Sequence, residues 1–70
     1  MDAITLSVKG VDDRLYAGDY FPCGAALDNE REVMYAFRDE QKTFLVYGNE
    51  LSKEELRQFN KIITVTIKHL

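Results

Sequence analysis

What this chain has little of narrows it first. It carries one cysteine, Cys23, one proline, Pro22, one histidine, His69, and no tryptophan. A lone cysteine cannot close an internal disulfide, so packing must hold the fold, and such usage fits a reducing compartment. No apolar run approaches the ~18 residues that a spanning helix needs. The opening stretch MDAITLSVKG has neither the basic nor the long apolar region of a secretory leader. A cytoplasmic protein is expected, without a membrane partner. There is no phosphate-cradling Gly loop, nucleophile–base signature, Ca²⁺-loop spacing or His/Cys cluster. No cofactor, metal or catalytic activity is therefore expected.

A basic excess is missing too. The net charge is −3, with seven acids against three bases in residues 1–35 and five against six in residues 36–70. Duplex nucleic-acid binders show a clear basic surplus, which is absent here. The chain is nonetheless 46% hydrophobic and 30% charged, a globular composition rather than a disordered one. Its 70 residues have room for one domain with a small core.

The stretch from Glu32 to Gly48, EVMYAFRDEQKTFLVYG, organises what is present. Side chains alternate between the faces of a strand, and opposed residues share a face. If Asp39–Lys42 turns the chain, Arg38 stands opposite Thr43, Phe37 opposite Phe44, Ala36 opposite Leu45, Tyr35 opposite Val46 and Met34 opposite Tyr47. A slip of one residue would lose the Phe37–Phe44 pair, so this register is the better one. The tip contains neither Gly nor Asn, which argues for a loop built on a type I turn. One face of the hairpin is then Val33, Tyr35, Phe37, Phe44 and Val46. The other, Met34, Ala36, Leu45 and Tyr47, is apolar as well.

Ile4, Leu6 and Val8 alternate with Thr5, Ser7 and Lys9, the pattern of a half-buried strand, and GVDDR turns the chain. Residues 17–27, AGDYFPCGAAL, read as a long loop or an irregular edge strand, because Pro22 cannot donate to a ladder and Gly18 permits a bend. Ser52-Lys53-Glu54-Glu55 fits a capping box, with Leu51 and Leu56 at the positions of a hydrophobic staple. The predicted helix runs from about Lys53 to Asn60 and turns Leu56 and Phe59 inward. Ile62–Lys68, rich in β-branched residues, reads as a final strand with Ile63, Val65 and Ile67 on one face.

The expected architecture is α+β: a small antiparallel sheet of four to five strands with one short helix before the last strand. In element order it resembles an SH3-like, partly open barrel whose last strand pairs with the first; an open sheet covered by the helix is the other arrangement. The core takes the Phe37 face and leaves the second hairpin face over. Either Tyr16, Tyr20 and Phe21 fold across it, or Met34, Leu45 and Tyr47 join those loop aromatics in an exposed patch that marks an interface. The functional expectation is a non-catalytic protein-binding module, such as an adaptor, inhibitor or assembly subunit, that docks Met34, Leu45, Tyr47, Tyr16, Tyr20 and Phe21 on another protein or on its own copy. The alternative is a single-stranded nucleic-acid-binding domain that uses exposed aromatics and the stripe Lys53, Arg57 and Lys61. Glu54 and Glu55 weaken that stripe.

Overall fold

A computed structural model describes the backbone of residues 3–68 and the side-chain surroundings of residues 3–63. Four strands, β1 (Ile4–Lys9), β2 (Leu15–Leu27), β3 (Val33–Arg38) and β4 (Thr43–Tyr47), form an antiparallel meander in the order β1-β2-β3-β4. A 3₁₀ turn at Gly48–Glu50 leads to one helix, α1 (Lys53–Lys68). The fold is α+β, as the sequence implied. The sheet is open, not a closed barrel, and the helix follows the last strand instead of preceding it.

The β3–β4 register is the expected one at every position, from Met34 opposite Tyr47 to Arg38 opposite Thr43. Ile4, Leu6 and Val8 are buried while Thr5, Ser7 and Lys9 are exposed. Residues 17–27, expected as a long loop or an irregular edge strand, are the larger part of a 13-residue strand that is irregular but lies inside the sheet, not at its edge. β2 accommodates its proline by changing partners. Residues 15–20 pair with β1 and residues 21–27 with β3, and the register shifts between Pro22 and Gly24. Pro22 thus sits opposite Phe37 beside the bulge, at the point where β2 passes from β1 to β3. Gly18, at φ +148°, takes a backbone conformation that side chains rarely adopt, and the ring of Tyr20 lies over it.

The expected final strand is helix. Ile62–Lys68 continues α1 without a break from Lys53. The inward face expected for Val65 and Ile67 lies outside the described side chains, and His69 lies outside the described residues. The physical reason for the misreading is visible in the spacing. Leu56, Phe59 and Ile63 sit at i, i+3 and i+7, and Ile67 follows Ile63 by four, so the isoleucines satisfy a helical period as well as a period of two. β-branched residues lower helix propensity by only a few tenths of a kcal/mol each, which packing and a well-made start override. That start is the expected capping box: the Glu55 N–H donates to Ser52 Oγ at 3.0 Å and the Ser52 N–H to Glu55 Oε1 at 2.8 Å. Leu51 is buried and Leu56 packs against the core, as a staple requires.

The core is a continuous run of ring contacts from β2 to α1. Tyr16 stacks on Phe44 at 3.8 Å between centroids, Phe44 lies 6.0 Å from Phe37, Phe37 meets Phe59 edge-on at 5.4 Å, and Tyr35 meets Phe59 at 4.9 Å. Ile4, Leu6, Val8 and Val46 fill the space around them. Val33, expected with this face, is 39% exposed at its margin. The rim of β4 is tied to the first turn by the Val11 N–H, which donates to the Leu45 carbonyl at 2.8 Å.

Two substitutions measure these contributions in urea unfolding. Phe59→Ala should cost about 3–5 kcal/mol, since a buried ring in contact with two others is lost. Ser52→Ala should cost about 1 kcal/mol. A loss below about 1 kcal/mol for Phe59→Ala would show that α1 does not close the core.

Candidate protein-binding surface

Strand alternation builds the second face of the sheet row by row. Ala26, Met34 and Tyr47 are aligned across β2, β3 and β4; Gly24, Ala36 and Leu45 form the next row; Phe21, Arg38 and Thr43 the one after. Phe21, Met34, Ala36, Leu45 and Tyr47 are half-buried. The helix packs on the opposite side, through Phe59 against Phe37 and Tyr35. Nothing in the described chain therefore lies over this three-stranded apolar surface. Arg38 rests its guanidinium 5.5 Å from the ring centroid of Phe21, a cation–π contact at one margin.

The residues expected on this face do not all reach it. Met34, Leu45, Tyr47 and Phe21 do. Tyr16 and Tyr20 are 7% and 6% exposed and belong to the core, where both contact Phe44. They cannot cover Met34, Leu45 and Tyr47, nor extend that surface. The register shows why: Tyr16 pairs with Val8 and Tyr20 with Ile4, so both share the buried face of β1. That assignment was available from sequence by carrying the alternation of β1 through the GVDDR turn, past the glycine that hides it. Sequence reasoning missed Gly24 and Ala26 as members of the face, because the bulge at Cys23 shifts their parity relative to Tyr20, and it left out Arg38 although the hairpin register already places it beside Ala36.

Aspartates organise all three hairpin turns. Asp12 accepts the Arg14 N–H at 3.1 Å and the Tyr16 hydroxyl at 2.6 Å. Asp28 accepts the N–H groups of Glu30 and Glu32, both at 2.8 Å, and the Tyr47 hydroxyl at 2.9 Å. Asp39 accepts the N–H groups of Gln41 and Lys42 at 2.8 and 3.0 Å and the Lys42 ammonium at 3.2 Å. Side-chain oxygens of this kind satisfy turn donors that no ladder reaches. The bond from Tyr47 to Asp28 also matters for the surface. It joins β4 to the end of β2, so the ring runs across β3 and is held there by its tip.

These bonds hold all three carboxyls below the ordinary aspartate range. The largest cause is the Tyr16 hydroxyl for Asp12, the Glu32 N–H for Asp28 and the Gln41 N–H for Asp39. The same pairings push Tyr16 and Tyr47 up, because the neutral phenol donates the bond.

Cys23 is exposed on the bulge, with its Sγ 3.6 Å from the Phe21 carbonyl oxygen. Partial burial pushes its thiol up, and the Arg38 charge offsets this only in part. That is the wrong direction for a nucleophilic thiolate. Among the described residues no group of acids, His and Cys is placed to hold a metal. Shallow depressions of about 290 and 340 Å³ lie beside Val11 and Leu45 and over Asp39–Gln41. Lys53, Arg57 and Lys61 lie exposed along α1, and Arg57 pairs with Glu54 at 2.9 Å, which neutralises the middle of the stripe. No helix among the described residues is long and apolar enough to cross a membrane. No protein-family model, curated protein or solved structure matches the chain.

The turn carboxylates set an expected pH profile. Their folded pKa values lie below the unfolded value of about 4, so their stabilisation is complete above that value and is lost as pH falls through the lower folded ones. Tyr16 and Tyr47 act at the other end: their contribution is complete below about pH 10 and is lost as pH rises through their raised folded values. Unfolding free energy followed against pH should therefore fall at both extremes. Asp28→Asn should shallow the acid limb, and Tyr47→Phe the alkaline one. An acid limb of unchanged slope in Asp28→Asn would remove this carboxylate from the balance.

Proposed function

We propose that this protein is a small, non-catalytic protein-binding module that docks another polypeptide chain on the sheet face made by Phe21, Met34, Leu45 and Tyr47. Such a domain serves as an adaptor, an inhibitor or a subunit of an assembly. One observation carries the reading: a three-stranded apolar face with the helix on its far side. Apolar surfaces of this kind are costly to leave in water and mark interfaces in folded proteins. The residue types support it. Tyr offers an apolar body with a polar tip, and Met adapts its shape to a partner. The Tyr47 tip is already bonded to Asp28, so little rotamer entropy is lost when the ring is covered.

Leu45→Glu and Tyr47→Glu test the reading. Each places a charge on the face, and each variant should keep its circular dichroism and unfold cooperatively. Binding to the partner captured by the wild-type chain, or to a second copy of it, should fall by at least about tenfold, as expected when a charge is buried unpaired at an interface. If both variants unfold, the face is core. If both fold and bind as before, docking occurs elsewhere.

A further inference from the structure

We infer that the chain docked on this face is a second copy of the protein, packed face to face about a two-fold axis crossing β3 between Met34 and Ala36. Glu32 of each copy then meets Arg38 of the other. This rests on the docking reading above and names its occupant.

Glu32 precedes β3 but stays in its ladder, since the Asp28 N–H donates to its carbonyl at 2.9 Å. Glu32, Met34, Ala36 and Arg38 therefore alternate onto the docking face as acid, large apolar, small apolar and base. The row reads as its own complement when reversed. A two-fold axis lying between two sheets and running across their strands performs that reversal, and it gives the isologous contact expected of a two-fold dimer. Glu32 and Arg38 make no ion pair among the described residues, whereas Lys42 is taken up by Asp39, and Lys9 by Asp13.

Shape agrees with charge. The same axis lays the row Ala26, Met34, Tyr47 over the row Gly24, Ala36, Leu45 of the other copy. Met34 then faces Ala36 and Tyr47 faces Leu45, while Ala26 faces Gly24, where an added Cβ would meet nothing within 4 Å. Two sheets packed in this way interdigitate at about 10 Å separation, within reach of a Glu–Arg pair at each end. The patch is modest. Three strands about 4.8 Å apart and about 20 Å long project about 300 Å², against about 800 Å² per partner in a standard interface. The dimer is accordingly weak and must be sought at high concentration.

Sedimentation equilibrium of the whole chain from about 10 μM to about 1 mM, read against circular dichroism, tests this. The wild-type chain should pass from monomer to dimer over that range. Glu32→Arg and Arg38→Glu should each weaken self-association at least about tenfold, because each opposes like charges twice. An equimolar mixture of the two variants should associate like the wild type, since every Glu then meets an Arg, and the double variant E32R/R38E should do the same alone. A wild-type chain that stays monomeric at about 1 mM, or folded variants whose mixture fails to associate, overturns the second-copy assignment. If the wild type is monomeric yet captures a different protein in a Leu45→Glu-sensitive way, this inference fails while the docking reading stands; if it does neither, both fail.

Discussion

Phe37 and Phe44 face one another across β3 and β4, and the rest of the structure depends on their being opposed. The pair decides which side of the hairpin is inside. From Phe44 the contacts spread to Tyr16 and Tyr20 on β2, and from Phe37 to Phe59 on the helix. A slip of one residue would turn β4 over relative to β3, leaving Phe44 in solvent while Phe37 stays inside and bringing Leu45 and Tyr47 inward instead. Because both faces of the hairpin are apolar, composition alone does not forbid that exchange. Pairing of the two rings does, supported by stacking at 3.8 Å and by a helix whose aromatic residue fits only on that side.

Where local chemistry is decisive, the fold was legible in the sequence. The hairpin register followed from alternation and one aromatic pair, the first strand from its clean period, and the helix start from Ser52, Glu55, Leu51 and Leu56. Residues 17–27 stayed open between a loop and an irregular edge strand, and residues 62–68 were misread. In residues 17–27, Gly18 and Pro22 resemble the punctuation of a loop. Tertiary pairing overrides it by letting one strand serve two neighbours, with the proline at the changeover. In residues 62–68, Ile63 and Ile67 fit both periods, and the β-branched composition points to the wrong one. The helix was already nucleated at Ser52, and propagating it further costs less than beginning a new strand.

The candidate surface was half legible. Met34, Leu45 and Tyr47 followed from the hairpin register, and Phe21 lies with them at the margin. Tyr16 and Tyr20 went to the core because their place depends on the β1–β2 register, which a glycine obscures. Gly24, Ala26 and the tether from Tyr47 to Asp28 lay beyond reach, since they arise from the bulge and from a contact 19 residues apart in sequence. The turn aspartates are a middle case: their residue type signals a turn, but only the folded chain shows that two of them also anchor tyrosines from opposite faces of the sheet.

The changeover in β2 has a consequence for how the molecule holds together under load. β1 touches the sheet ladder only through the first part of β2, and the β3–β4 hairpin only through the second part. Two ladders joined by a single bent strand would ordinarily peel apart one at a time. Here the stack of Tyr16 on Phe44 and the bond from Val11 to Leu45 connect the first hairpin directly to the last strand, 34 positions away in the latter case. They act as a cross-brace over the flexible joint. Neither ladder can open without breaking contacts that belong to the other, so loss of the first strand and loss of the last hairpin are energetically coupled.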